Sequence, residues 1–522
     1  MVERDFESLR PLRRVIGLAA VFAACSSPVI RPVDYNETHD RPADSEFGTS
    51  VKEKLDHQFV LWSKAREAFV KRSSEKGGLI QRSEWEEMLT VPDAERLTPD
   101  DLKWLNSDHA RRIEASRLGA IQTSSIDLDV IRSTKQVEKF CAEFPFLSML
   151  HVHLAGTLDR KAVDDILTAV NPSIDPAQLT VQISKVGSAE YDAGELDFLS
   201  AYNEVTTYKE LATKDRKRLV DLFFLSSPAH KFSRFSVIFR LMYQLLTKDP
   251  ELLYKPVFYE AFFRRCRERG IRYIELREYF DPKKELVARV EAMVKDVEKR
   301  FGIKVRVLFA LSRSVTDPEV NRRRISDFLA LPPSSAIVGV DLLSSEDEAP
   351  LFERAQAIYA TVIAKRPLFR LGGHVGEHGD PRNPRDALIF GIERLGHGVT
   401  LAADPVALEF AARGRIPIEI NLKSNLILGA VPSVSQHPFL KLHRLGLRTS
   451  LSTDDEGIFE TDIRKECELA VSETDIQYDE LKEMSSNSIE TSFASDIDRA
   501  VLREDFREAL RRLEAQYATQ AR

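Results

Sequence analysis

The sequence predicts an α/β protein built on a TIM (β/α)8 barrel, with a helical N-terminal extension and a helical insertion after the first strand. Eight short β-rich runs are separated by helical stretches, which matches the strand count of such a barrel. The runs are apolar throughout rather than alternating, as expected of parallel strands that are covered on both faces. Histidine and acidic residues follow several runs, at the place where the active site of a barrel forms.

Composition and charge narrow the class of protein. Of the 522 residues, 43% are hydrophobic and 30% are charged, which is ordinary for a globular protein. The net charge is -7 and no basic block occurs, so we expect no nucleic-acid partner. The four cysteines are far apart and form no CxxC pair. We therefore predict neither a disulfide framework nor a thiolate zinc site, and interpret the cysteines as small buried hydrophobes.

The first residues indicate export. Arg13 and Arg14 precede a short apolar run at 15–24, which has the length of a signal-peptide core and is too short to span a bilayer. Small residues before Cys25 resemble a bacterial lipobox, in which that cysteine would carry the lipid. We predict a signal peptide over 1–25 and an exported protein of the cell envelope or periplasm, in contact with a membrane only through a lipid anchor on Cys25. The alternative to a signal peptide is a frayed amphipathic segment at the N-terminus.

Three further segments come after this leader. Residues 26–50 are polar and without periodicity, which predicts a flexible linker. In 51–144, apolar residues such as Leu55, Phe59 and Phe69 recur at helical spacing, which predicts a helical extension. We expect the extension to serve as a dimerisation element or as a brace against the barrel. Residues 145–522 form the barrel domain, and the oligomeric state stays open.

The strands follow one another at uneven spacing within the barrel domain. The eight predicted strands cover 148–154, 272–278, 305–311, 337–343, 369–375, 393–399, 416–422 and 448–454. The gap between the first two strands is long enough to hold extra helices. Because the loops that follow barrel strands build the active site, this insertion is predicted to act as a lid.

A pair of histidines ends the first predicted strand. His151 and His153 are two residues apart, so both imidazoles point to the same side of a strand. One such pair is weak evidence, because structural histidine pairs are common. The pair gains meaning only if the other strands also end in residues that can bind a metal or transfer a proton.

Three later strands do end in such polar residues. The residues at these ends are His374, Glu377, His397, Asp454 and Asp455. Their repeated placement at one rim of the barrel is hard to assign to packing.

These residue types fit metal-assisted hydrolysis. Three imidazoles and a carboxylate suit one divalent ion such as zinc, with a position left for water. A bound zinc ion lowers the pKa of such a water to about 7. A separate carboxylate can then donate a proton to the electrophile, and a further histidine can orient the water or take its proton.

Four motifs occur in order over 145–522: HVHLAG, HVGE, LGHG and STDD. Together with YIELR and SNLILG, these motifs resemble those of the adenosine deaminase family. The resemblance implies that Glu377 protonates the purine N1, that His397 handles the attacking hydroxide, and that Asp455 contacts N7. Hydroxide would add at C6 and ammonia would leave. The implied zinc ligands are His151, His153, His374 and Asp454.

The residues that would contact the substrate depart from the family pattern. After HVHL the family commonly places an acidic residue that holds the ribose 5'-hydroxyl, whereas here it is Ala155. Ser344 aligns with a family glycine whose backbone NH faces the purine N3, and a serine restricts that backbone. The family's apolar cover over the purine resembles Phe198, Leu199 and Tyr202; alternatively, these are core residues of an amphipathic helix.

Three other polar residues lie near these motifs. Glu346 matches a family acidic residue, and the alternative is a solvated loop carboxylate. His378 and His437 are predicted to be surface or capping residues rather than ligands.

Three functions remain open at this point. The first is a zinc-dependent deaminase of a 6-aminopurine nucleoside, adenosine or deoxyadenosine, which makes a small purine nucleoside the expected partner. The second is a deaminase of a free base or of a 5'-modified or N6-substituted nucleoside, which Ala155 favours. The third is a surface nucleoside-binding protein with vestigial catalysis. The intact Glu377 and His397 argue against the third, because a binding protein needs neither.

Overall fold

The computed structural model describes residues 46–520 apart from 75–79, 178, 180–196, 203, 226–231, 247–250, 316 and 347–350. The predicted signal peptide, Cys25 and most of the predicted linker lie outside the described residues. None of the helices within these ranges combines the length and the apolar character that crossing a bilayer requires.

The core of the protein is a sheet of eight parallel strands. They are β1 (Ser148–Val152), β4 (Tyr273–Glu278), β5 (Lys304–Ser312), β6 (Ile337–Leu343), β7 (Arg370–Val375), β8 (Arg394–His397), β9 (Pro417–Ile420) and β10 (Arg448–Leu451). Each strand pairs with the next in the order β1-β4-β5-β6-β7-β8-β9-β10. A parallel bridge between Val152 and Asp454 brings the end of the first strand against the chain after the last, which nearly closes the barrel. All eight strands coincide with the predicted apolar runs, and the predicted barrel is confirmed.

Helices surround the sheet and supply the second layer of the core. In Lys284–Phe301, for example, Val290, Val294 and Val297 recur at helical spacing and are buried, and Gly302 ends the helix in the left-handed region at φ 66°. The helices after the first barrel strand are α6 (Arg160–Val170), α7 (Thr213–Asp221), α8 (Phe232–Leu241), α9 (Pro256–Glu268), α10 (Lys284–Phe301), α11 (Pro318–Ala330), α12 (Leu351–Lys365), α13 (Arg382–Phe390), α14 (Pro405–Arg413), α15 (Leu422–Ile427), α16 (Phe439–Arg444), α17 (Ile463–Glu473), α18 (Tyr478–Glu490) and α19 (Asp496–Gln520).

The insertion between the first two barrel strands holds more than helices. Besides α6 to α9 it contains two short antiparallel strands, β2 (Ser173–Ile174) and β3 (Thr206–Thr207). Strands of two residues leave no periodic pattern in a sequence, so the sequence predicts only helices here.

The N-terminal extension is helical, as predicted, and packs against the barrel helices. The buried Trp85 donates a hydrogen bond to Asp386 of α13 over 3.1 Å, and Arg82 forms an ion pair with the same carboxylate at 2.7 Å. Gln356 of α12 donates to the backbone oxygen of Ile80 over 3.0 Å. These contacts match the brace that the sequence suggests. The helices are α1 (Glu46–Ser74), α2 (Arg82–Met88), α3 (Pro99–Thr123), α4 (Leu128–Ser133) and α5 (Val137–Glu143).

The interpretation of all cysteines as small buried hydrophobes is wrong for two of them. Cys141 on α5 and Cys467 on α17 form a disulfide, whereas Cys266 is free and buried as expected. The two bonded cysteines are 326 residues apart, so their spacing along the chain gives no sign of pairing. The bond fastens the N-terminal extension to the barrel.

Removing this disulfide is expected to weaken the whole fold. Replacing Cys141 and Cys467 together by serine should lower the free energy of unfolding by about 2–5 kcal/mol, because the unfolded chain loses a long covalent loop. Denaturant unfolding of the oxidised wild type and of the double variant measures the difference. Wild type reduced with dithiothreitol is the matched control and should unfold like the variant. Equal stability of oxidised wild type and variant would contradict the predicted contribution.

Candidate active site

Four side chains predicted as metal ligands converge at the carboxyl ends of the barrel strands. The Nε2 atom of His374 lies 3.0 Å from Nε2 of His151 and 3.1 Å from Nε2 of His153. Oδ1 of Asp454 lies 3.5 Å from Nε2 of His151 and 3.4 Å from Nε2 of His153. Residues from β1, β7 and the end of β10 thus meet at one point, as the sequence predicts.

The arrangement of these four donors fits a metal ion. Four ligands at about 2.0–2.1 Å from a tetrahedral zinc ion are about 3.3 Å from one another, close to the observed separations. If both histidines carry their proton on Nδ1, the two Nε2 lone pairs face each other at 3.0 Å and repel unless a cation lies between them. Within the described residues His151, His153, His374 and Asp454 form one of two groups of His and acidic residues able to hold a metal ion.

Buried polar partners orient the proposed ligands. Nδ1 of His151 lies 2.9 Å from Glu419, and Nδ1 of His374 lies 2.8 Å from Asp341. Each carboxylate favours the tautomer with the proton on the facing Nδ1, which leaves the Nε2 lone pairs for a metal. Ser424 donates to the second oxygen of Asp454 over 2.6 Å, which leaves the first oxygen directed at the histidines.

Two arginines keep these partner carboxylates charged. Burial would raise the pKa of Glu419, but the charges of Arg277 and Arg394 outweigh it and hold that pKa well below its usual range. Burial also opposes ionisation of Asp341, yet the neighbouring His374 and Arg277 lower its pKa. All of these groups are buried in the barrel interior, where an unpaired charge would be costly.

The three residues implied in catalysis lie beside the metal-ligand group. His397 and Glu377 face each other with Nε2 and Oε2 3.8 Å apart, and ligand atoms of Glu377, His397 and Asp454 lie within 4.8 Å of one another. Asp455 is fully buried, and burial together with the charge of Asp454 raises its pKa. A methyl group on Gly156 would come within 1.7 Å of Asp455, so only glycine leaves room for that carboxylate.

The backbone at this rim is held in an uncommon conformation. His397 has a φ of 69° and Asp454 a φ of 57°, both in the left-handed region that non-glycine residues seldom adopt. Such strain costs about 1–3 kcal/mol for each residue and persists where the surrounding structure fixes it, often at functional sites.

A hydrogen-bonded chain fixes the tautomer of His397. Nδ2 of Asn425 donates to Nδ1 of His397 over 2.9 Å, and Nε2 of His437 donates to Oδ1 of Asn425 over 3.0 Å. A neutral His397 therefore carries its proton on Nε2, on the side of Glu377. His437 caps a helix through the backbone NH of Phe439, as the sequence suggests, but it is buried rather than on the surface.

Glu346 is a buried structural partner and not a solvated loop carboxylate. It pairs with Arg313 at 3.1 Å and accepts the backbone NH of Gly376 over 3.0 Å. Arg313 also donates to the backbone oxygen of His374. The pair thereby fixes the segment between His374 and Glu377, which connects a proposed ligand to the proposed proton donor.

A cavity of about 490 Å³ opens above these residues. Ala155 and Ser344 both line it, so the two sequence departures do lie at the pocket. Ser344 adopts the left-handed backbone of a glycine, with a φ of 88°, and its hydroxyl lies 2.7 Å from that of Ser312. The serine therefore keeps the expected backbone turn at the cost of strain.

The residues predicted to form an apolar cover over the purine do not line the cavity. Phe198 and Leu199 are buried in the hydrophobic core, within a short 3-10 helix over Asp197–Ala201, and do not line the cavity. The hydroxyl of Tyr202 donates to Asp215 over 2.8 Å, and Tyr202 does not line the cavity either.

Other residues of the same insertion provide the apolar wall of the cavity. These are Phe235 and Phe239 of α8 together with Leu253. The two phenylalanines are one helical turn apart, so both can face the cavity. Their spacing in the sequence is equally typical of a helix that faces the core. Periodicity alone therefore does not show whether the two phenylalanines face the core or the cavity.

Sequence reasoning missed the partners of the ligands. Asp341 and Glu419 each stand inside a predicted strand that is otherwise apolar, and both are fully buried. A carboxylate in a strand that is covered on both faces needs a buried partner. An acidic residue within an otherwise apolar strand is therefore the feature of the sequence that indicates these two partners.

The comparisons with known proteins agree with this geometry. The sequence profile of the family described as adenosine deaminase matches residues 197–509, more than half of the chain. An adenosine deaminase from Enterococcus faecalis is 26% identical over 256 residues, which cover 47% of this chain and 73% of that protein.

Two solved structures show the same fold. An amidohydrolase from Burkholderia ambifaria with bound zinc superposes with a TM-score of 0.54 at 19% identity, and covers 73% of this chain and 94% of its own. The N6-methyl-AMP deaminase of Arabidopsis thaliana superposes with a TM-score of 0.51 at 20% identity, with 71% and 98% of the two chains covered. With its family profile matched and its barrel and site residues in place, the chain belongs to the adenosine deaminase family.

Proposed function

We propose that this purine deaminase is a zinc-dependent enzyme that hydrolyses a 6-aminopurine nucleoside, adenosine or deoxyadenosine, to inosine or deoxyinosine and ammonia. One observation carries the proposal: Glu377 and His397 lie beside the converging donors of His151, His153, His374 and Asp454, at the floor of one cavity. The family match and the zinc-bound structural relative support the choice of chemistry and of metal.

The family resemblance assigns a role to each side chain, and the position of the side chains beside the ligand group supports these roles. A zinc ion held by the three imidazoles and Asp454 would supply Lewis-acid activation of water. His397, protonated on Nε2 because Asn425 occupies Nδ1, donates a hydrogen bond to the attacking oxygen. Glu377 passes a proton to the purine N1, which makes C6 more electrophilic. Asp455 contacts N7 on the other edge of the base.

A deaminase of a modified purine is the second candidate. Ala155 lines the cavity and offers no acceptor for a ribose 5'-hydroxyl. The Arabidopsis relative is named for an N6-methylated nucleotide, which lends this candidate support. The two candidates differ in the leaving group and in the 5' substituent, while the metal site and Glu377 would serve both.

A screen of purines distinguishes the candidates. Zinc-reconstituted protein is incubated with adenine, adenosine, deoxyadenosine, AMP and the N6-methyl forms, and the released ammonia or methylamine is measured. We expect the highest kcat/KM for adenosine or deoxyadenosine. A preference for an N6-methylated purine or for AMP would replace the first candidate by the second. Release from none of them would reject the proposed activity.

We further propose that the protein is exported and anchored through lipid on Cys25. The leader pattern at 1–25 supports export, and so does the disulfide between Cys141 and Cys467, because disulfides persist in oxidising compartments.

Substitution of the lipidation site provides the test of anchoring. Cys25→Ser is expected to move the protein from the membrane fraction to the soluble fraction, because the substitution removes the proposed site of the lipid. Fractionation of cells followed by immunoblotting measures the change. Ser26→Ala is the matched control and should stay with the membrane. Wild-type protein found soluble in the cytoplasm with Met1 retained would contradict both export and anchoring.

A further inference from the structure

A buried carboxyl group lines the cavity and takes no part in the chemistry proposed above. Glu278 is the last residue of β4, is only 3% exposed, and borders the same cavity as Ala155. One of its oxygens, Oε1, accepts the backbone NH of Leu154 over 3.0 Å. That bond holds Glu278 against the segment that carries Ala155.

This carboxyl group has no cationic partner among the described residues. Burial and the hydrogen bond from Leu154 are the influences on its pKa, and no cation is among them. Burial accordingly raises the pKa of Glu278 to about 8. A carboxyl group in a pocket pairs with a hydroxyl in either protonation state, because it can accept or donate a hydrogen bond.

The rest of the cavity wall is suited to a neutral ligand. Apart from the residues of the catalytic cluster, polar groups along it include the hydroxyls of Ser312 and Ser344. Arg277 is the one guanidinium among the described residues that line the cavity, and its charge is already paired with Glu419 and Asp341. Among the described residues that line the cavity, a phosphate dianion would meet a carboxyl group and no unpaired lysine or arginine.

A base bound as the proposed function requires would direct its sugar along the cavity wall that includes Asp455, Ala155 and Glu278. With C6 at the proposed metal ligands and N1 at Glu377, Asp455 lies along the N7 edge. The charges of Glu377 and Glu278 both contribute to the raised pKa of Asp455, and all three residues line the same cavity. The substituent on N9 follows N7 and C8 around the base, on the side of Asp455 away from Glu377.

From these contacts we propose that Glu278 is a specificity-determining residue, which hydrogen-bonds a hydroxyl of the sugar and disfavours a substrate that carries phosphate in its place. The inference rests on the proposed function, since it assumes a purine nucleoside in the cavity. Glu278 would thus provide a polar contact to the sugar on the side of the pocket where Ala155 provides none.

Product inhibition of the metal-loaded enzyme provides the test. Inhibition constants are measured for inosine, which carries the sugar, and for hypoxanthine, which is the base alone. Glu278→Ala should raise the constant for inosine by about ten- to a hundredfold and that for hypoxanthine by less than about threefold, because only the sugar contact is lost. Glu278→Gln keeps an oxygen that accepts the NH of Leu154 and presents an NH2 group that donates to the hydroxyl, and it should stay within about tenfold of wild type for inosine.

Two further measurements separate binding from a structural role. Adding Ala155→Asp to Glu278→Ala returns a carboxylate to the same wall and should recover part of the inosine affinity. Wild type should bind inosine at least about tenfold more tightly than IMP. An equal loss for inosine and hypoxanthine, an unchanged constant for inosine, or tighter binding of IMP would each overturn the role of Glu278. Wild type that deaminates no purine would instead overturn the proposed function, and this inference with it.

Discussion

Replacing His374 by alanine is expected to remove the bound metal and to lower the rate of deamination by at least about 10⁴-fold, because water without a metal has a pKa near 15.7 rather than 7. Nε2 of His374 lies within 3.1 Å of both other histidine donors. Removing this imidazole therefore removes the ligand that contacts both of the other two. The variant also removes one of the two described ion-pair partners of the buried Asp341, the imidazole at 2.8 Å, and leaves only Arg277 at 3.3 Å.

Metal analysis and steady-state kinetics on the same preparation measure this effect. His378→Ala is a matched control, because His378 belongs to the same loop and is not among the proposed ligands; it should keep one ion per chain. Circular dichroism shows whether the His374 variant is folded, and His374→Asn keeps most of the side-chain volume in case it is not. A folded His374 variant with a full complement of metal and wild-type turnover would contradict the ligand assignment.

Glu377→Gln is expected to keep the fold and the metal while lowering kcat by about 10²–10⁴-fold. An amide has the size of the carboxyl group but cannot transfer a proton to N1 of the base. Glu377 is 4% exposed and lies 3.8 Å from His397, so no bulk water can readily replace it as the acid.

Stopped or continuous assays of ammonia release, with metal content measured in parallel, test this role. Glu346→Gln is the comparison variant, because Glu346 accepts the NH of Gly376 in the same segment without reaching the base. It should cost less activity than Glu377→Gln. Wild-type ammonia release by the Glu377 variant from every accepted purine would show that another group protonates the base.

The parts of the site that depend on strand ends could be predicted from the sequence. A parallel barrel brings all carboxyl ends of its strands to one rim, so the position of a residue at a strand end fixes its place in space. His151, His374, His397 and Asp454 lie where this rule puts them. The eight strands were predictable for the same reason, because fully buried strands are apolar throughout.

The parts that depend on the insertion and on long-range contacts could not be predicted. Phe198 and Phe235 both occur in apolar helical patterns, and only tertiary packing determines which of them reaches the cavity. The disulfide of Cys141 joins residues 326 apart, at positions that no local pattern relates. Asn425 donates a hydrogen bond to His397, and the residues around Asn425 in the sequence give no indication of that contact.

We propose that this rim catalyses the hydrolytic removal of the amino group from C6. Incubating the metal-loaded enzyme with adenosine in water labelled with heavy oxygen, and analysing the purine product by mass spectrometry, tests it most directly. We predict inosine with one labelled oxygen at position 6 for each ammonia released, and no product after the metal has been chelated. Product without the label, or product formed after chelation, would contradict metal-dependent hydrolysis at C6, and recovery of unchanged adenosine would contradict adenosine as the substrate.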